Sequence, residues 1–67
     1  MDHELVTVDV EVKRTWKNAI LVTDGDTEGW IPYSLLGDES TVDRDCEAGD
    51  TGVVEIPAWK AEELGFA

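Results

Sequence analysis

Val6, Val8, Val10 and Val12 alternate with Thr7, Asp9, Glu11 and Lys13. That is the period-two pattern of a strand with one face in a core and the other in solvent. Lys13-Arg14-Thr15-Trp16-Lys17-Asn18 then reads as a polar connection, and Ala19-Ile20-Leu21-Val22-Thr23 as a second strand. It is apolar on both faces, so it is predicted to be central in its sheet. Asp24-Gly25-Asp26-Thr27-Glu28-Gly29 follows as a hairpin loop, because Asp-Gly favours a turn and Gly29 can take the positive φ that re-enters a strand. Gly29-Trp30-Ile31 makes a short third strand. Pro32 ends it, having no N–H for the ladder, and opens a single helical turn over Tyr33 to Leu36 with Gly37 as its stop.

A polar stretch from Asp38 to Asp50 comes next, within which Ser40-Thr41-Val42-Asp43-Arg44 is predicted as a weak edge strand. Gly49 to Gly52 is a turn and Val53-Val54-Glu55-Ile56 the last strand. Pro57 at the first helical position starts a short helix, Ala58 to Leu64, closed by Gly65. The sum is an α+β fold: a small antiparallel sheet of four or five strands, a one-turn helical insertion and a short C-terminal helix. A sheet of this kind can curl toward an SH3-like or OB-like half-barrel. Trp16, Trp30, Tyr33, Trp59 and Phe66 are expected to supply much of the apolar bulk.

With 67 residues the chain is one domain, spanning 1–67, near the lower size at which a single apolar core suffices. One cysteine, Cys46, excludes an internal disulfide, and one histidine, His3, excludes a Cys/His zinc site. Asp24-Gly25-Asp26-Thr27-Glu28-Gly29-Trp30-Ile31 matches the first eight positions of an EF-hand loop. Position 12 of such a loop falls on Leu35, however, and an apolar β-branched run replaces the entering helix, so calcium is not expected. No metal or cofactor is assigned. No apolar run approaches the roughly 20 residues of a membrane span, and the acidic Met1-Asp2-His3-Glu4 is unlike a secretory signal. A cytoplasmic location is expected.

Charge is the most informative property of the chain. Sixteen acids against five bases give a net charge of −11, more than the magnitude of about 2–8 that keeps a small domain soluble. The excess is concentrated: residues 24–50 hold nine acids and only Arg44. Spacing adds a second signal. Asp24-x-Asp26-x-Glu28 recurs as Asp43-x-Asp45-x-Glu47, and the pairs Asp2/Glu4 and Asp9/Glu11 share the interval. In extended chain, alternate residues share a face about 6.6 Å apart, a charge row resembling the phosphates of a nucleic-acid strand. Proteins hold that strand mainly with Lys and Arg, so a folded protein with such rows could occupy the same groove. Asp residues also fall two apart simply because turns favour them, and salt adaptation produces acid-rich surfaces as well, though spread evenly.

Catalysis is not expected. No Ser-His-Asp or Cys-His arrangement is available, no Gly-rich phosphate loop appears, and a chain this short can hardly wall the cleft a carboxylate pair would need. Direct nucleic-acid binding is excluded by sign. Lys13, Arg14 and Lys17 form a small basic group expected to be solvated or paired with neighbouring acids.

The layout Lys17-x-Ala19-Ile20-Leu21-Val22, Trp30-Ile31-Pro32-x-Ser34 and Ile56-Pro57-x-Trp59 with a closing Glu-Leu-Gly is similar to a group of small phage and prophage proteins. With its acidity, the chain also resembles the phage anti-CRISPR proteins directed against type I-C systems. That resemblance implies an acidic monomer in the bacterial host cytoplasm that binds the Cascade surveillance complex and blocks recognition of target DNA. Charge placement nominates the partner-binding residues: Asp24, Asp26, Glu28, Asp38, Glu39, Asp43, Asp45 and Glu47. Two alternatives remain open. One is an SH3-like interaction module acting through Trp30, Tyr33 and Trp59; the other is an accessory domain from a salt-adapted source.

Overall fold

A computed structural model describes residues 4–66, so that Asp2 and His3 lie outside the described residues. The elements are β1 (Leu5–Thr15), β2 (Ala19–Thr23), β3 (Glu28–Pro32), a 3₁₀ turn (Tyr33–Leu35), β4 (Thr51–Pro57) and α1 (Ala58–Leu64). The strands form one sheet in the order β3-β2-β1-β4, every neighbouring pair antiparallel. The sheet is open, with β3 at one edge and β4 at the other, and the class is α+β. β2 is central, as its two-sided apolarity predicts.

β1 runs further than the valine alternation suggests. Lys13 is an extra residue on this strand: Val12 pairs with Val22, but the next pair is Arg14 with Leu21. Such a bulge bends the strand and resets which side chains share a face, so Lys13, Arg14 and Thr15 lie in β1 and not in a loop. The bend lets one strand serve two neighbours. Leu5 to Glu11 pairs with β4, whereas Glu11 to Thr15 pairs with β2.

The core lies on one face. Val10, Val12, Ile20, Val22, Ile31, Val54 and Ile56 project from all four strands, and Val42 and Ala61 close over them from the 36–50 segment and from α1. Burying each such aliphatic side chain contributes about 1.5–3 kcal/mol. Two glycines let the cover come close. A Cβ at Gly29 would collide with Leu64 of α1, and one at Gly52 would lie 2.9 Å from Val42 Cγ1.

The tryptophans do not fill this core. Trp16, Trp30 and Trp59 are 62%, 42% and 54% exposed, and only Tyr33 and Phe66 among the aromatics pack against the buried cluster. The pleat explains Trp30: it neighbours the buried Ile31, so it emerges on the opposite face. β-Branched residues already occupy the inward strand positions.

The edge strand predicted over Ser40 to Arg44 is absent. The segment runs along β4 without forming a ladder, because hydroxyls replace half of the backbone partners. Gly37 N donates to Glu55 O at 2.8 Å and Thr41 N to Val53 O at 2.9 Å. In return, Glu55 N donates to Ser40 Oγ at 2.8 Å and Val53 N to Thr41 Oγ1 at 2.9 Å. The outward groups of these two β4 residues are thus satisfied. At the end of β4, Pro57 (φ −58°, ψ 143°) is the cap residue, one position before the first helical turn, and Gly65 ends α1 in the left-handed region at φ 84°.

Candidate functional site

Neither acidic triplet lies in extended chain, so the row of charges at strand pitch does not form. Asp24 and Asp26 sit in the β2–β3 turn and only Glu28 is in a strand. Asp24 Oδ1 accepts from Asp26 N and from Thr27 N, each at 2.9 Å. The bonds from Thr27 and Asp26 hold its carboxyl below the usual carboxylate range. The second triplet repeats the device. Asp43 Oδ1 accepts from Asp45 N at 2.9 Å, and Asp50 Oδ2 accepts from Glu47 N at 2.8 Å. The recurring D-x-D spacing is therefore a turn signature, in which an aspartate caps the N–H two residues on.

The triplets are also apart in space. The β2–β3 hairpin packs against the end of α1, where Thr27 Oγ1 donates to Leu64 O at 3.3 Å. The loop carrying Asp43, Asp45 and Glu47 reaches the opposite end of β3. There the Arg44 guanidinium lies 5.0 Å from the Tyr33 ring centre, whereas the later part of the loop returns to β1, where Val12 N donates to Asp50 O at 2.7 Å. The length of β3, about 16 Å at 3.3 Å per residue, thus separates the hairpin from Arg44 and its neighbours Asp43 and Asp45, while Glu47 is tied to Asp50. Asp38 and Glu39 lie elsewhere again, beside β4, where Glu39 N donates to Glu55 Oε1 at 3.2 Å.

The sheet brings a different set of acids to the first triplet. On the face turned away from the core, Glu11 is flanked by Thr51 of β4 and by Thr23 of β2, and Thr23 by Glu28 of β3. Asp9 follows on the same face of β1. Glu11 thus stands about 7 Å from Asp9, two residues along β1, and about 10 Å from Glu28, two strands across, with Asp9 and Glu28 about 12 Å apart on the diagonal and Asp24 and Asp26 on the adjoining turn. Asp9, Glu11, Thr23, Asp24, Gly25, Thr51 and Val53 help line an open depression of about 470 Å³ at this end. The signal for Asp9 and Glu11 was present as outward positions in the valine alternation. Their meeting with the hairpin depends on the β1–β2 register.

Cations do not neutralise this end. Among the described residues the one ion pair is Lys60 with Glu63 on α1, at 2.9 Å. Lys13, Arg14 and Lys17 make none. Arg14 instead shares the far end of the open face with Leu21 and Trp30. Arg14, Trp16, Asn18, Ala19 and Trp30 line a second depression there, of about 440 Å³. Trp30, Tyr33 and Trp59 do not make one aromatic surface: Tyr33 packs toward the core and donates its hydroxyl to Trp16 O at 3.0 Å, and Trp59 is on α1. The residue that joins Trp30 is Trp16.

No protein-family model, curated protein or solved structure matches the chain. No helix among the described residues is long and apolar enough to cross a membrane.

Proposed function

We propose that the chain is a non-catalytic, monomeric inhibitor whose acidic sheet end occupies a basic, DNA-binding surface of a protein complex and so blocks recognition of target DNA. The observation that carries this is the convergence of Asp9, Glu11, Asp24, Asp26 and Glu28 at one end of an open face, none of them in an ion pair. A net charge of −11 attracts a basic surface over a distance and speeds encounter. A few carboxylate–arginine pairs formed on contact then set the lifetime. The type I-C Cascade complex is the partner to test first, on the strength of the anti-CRISPR resemblance.

The test is charge reversal in two separate blocks. Asp9→Lys with Glu11→Lys and Glu28→Lys should reduce inhibition of Cascade binding to duplex DNA at least tenfold. Asp43→Lys with Asp45→Lys, flanking Arg44 about 16 Å away along β3, should reduce it far less. Full inhibition by the first variant, with its circular dichroism unchanged, would refute the assignment of the surface.

A further inference from the structure

The two edges of the sheet are treated differently. Along β4 the outward N–H and C=O of Val53 and Glu55 are all taken by the 37–41 segment. Along β3 no segment among the described residues does this. The ladder between β2 and β3 can be counted from its ends, where Tyr33 N donates to Asn18 O at 3.0 Å and Asp24 N to Thr27 O at 3.2 Å. Bonded and non-bonded pairs alternate in an antiparallel ladder. The register of Ile20 with Ile31 and Val22 with Gly29 therefore makes Ile31 and Gly29 the inward-bonded residues. Glu28 and Trp30 turn their N–H and C=O outward, as Pro32 turns its C=O. Among the described residues none of these groups has a backbone or side-chain partner.

The side chains of Glu28 and Trp30 lie on one face, the open one, about 6.6 Å apart. Trp30 walls the apolar depression shared with Trp16 and Ala19, and Glu28 belongs to the acidic end. Main-chain hydrogen bonds supply affinity when a strand is added to an edge, and alternate side chains supply specificity. We propose that the β3 edge is a strand-addition site for an extended, basic segment of the partner, with an apolar residue seated by Trp30 and a Lys or Arg two positions away at Glu28. The net charge of −11 selects a cationic segment over a second copy of this chain. The proposal rests on the acidic-surface function above and names how the partner is held.

The test uses the end-blocked heptapeptide Lys-Thr-Val-Thr-Lys-Thr-Val, in which Lys and Val alternate along one face, with a proline-interrupted peptide of equal charge as control, added to the isotope-labelled full chain at low salt. Saturation with the alternating peptide should slow amide exchange at Glu28 and Trp30 at least tenfold and leave Gly29 and Ile31 within twofold. The proline peptide should not do this, and Trp30→Ala should weaken the alternating peptide at least tenfold. Shifts at Asp9 and Glu11 without slowing at Glu28 and Trp30 would overturn the edge site while leaving the acidic surface standing. Protection of Glu28 and Trp30 that grows with the chain's own concentration, without peptide, would assign the edge to self-association and overturn the proposal. Absence of any binding by either peptide would count against both the edge and the acidic surface.

Discussion

Gly29→Ala tests how the helix is seated on the sheet. Gly29 is buried in β3 opposite Val22. An added methyl would fall inside contact distance of Leu64 Cδ2, with Leu64 Cγ and Cδ1 at 3.0 and 3.1 Å. Relief requires the Leu64 side chain to leave its rotamer, since Cγ crowds the position as well as both methyls. Overpacking of this kind costs about 1–3 kcal/mol. Restricting the unfolded chain returns about 0.4–1 kcal/mol. The net is a loss of about 1–2 kcal/mol, or about 5–15 °C in Tm for a domain of this size. Thermal and urea denaturation followed by circular dichroism would measure it. Leu64→Ala removes the obstructing atoms, so in that background Gly29→Ala should be neutral or slightly stabilising. The resulting coupling of about 1–2 kcal/mol exceeds the deviation of about 0.3–0.5 kcal/mol seen for independent sites. Equal effects of Gly29→Ala in both backgrounds would refute the close approach of Leu64 as its cause.

Two further perturbations address the turns and the covered edge. Asp24 is held below the usual carboxylate range by the Thr27 and Asp26 N–H groups, so its contribution is full above the unfolded-state pKa and is lost as pH falls through the lower folded-state value. Asp24→Asn should therefore flatten the fall in Tm between pH 5 and pH 2, and an unchanged pH profile would contradict it. Ser40→Ala leaves Glu55 N without its acceptor, at a cost of about 1–3 kcal/mol. The measurement is faster amide exchange at Glu55, with Val53 changed less.

Local pattern revealed the elements whose causes are local. The Val6 to Val12 alternation, the Ala19 to Thr23 run, the Asp-Gly turn, the stop at Pro32 and the Gly65 cap all depend on neighbours within a few residues. What failed depended on distant partners. The bulge at Lys13 becomes visible only through the Val22 and Leu21 register, and the Ser40 and Thr41 hydroxyls hold the 37–41 segment by accepting from N–H groups of a strand more than ten residues later. Trp30 looked like core because it is large, but parity with Ile31 places it outside. The acidic site divides in the same way: the turn-forming role of Asp24 and Asp43 was one of the explanations open from sequence, whereas the gathering of Asp9 and Glu11 beside Glu28 required the strand order.

The division of β1 between two neighbours makes its two pairings unequal in closure entropy. β1, β2 and β3 are consecutive, and their pairings close only short connections. Joining β4 to β1 matches Val8 with Val54, and enclosing that much chain costs about 3.4 kcal/mol in closure entropy by the (3/2)RT ln n relation, against roughly 1 kcal/mol for a tight hairpin. Loop closure alone therefore favours pairing within the three-strand meander before β4 joins it. Release of the C-terminal strand and helix together would uncover the valine face of β1 and free the acidic hairpin from its bond to Leu64.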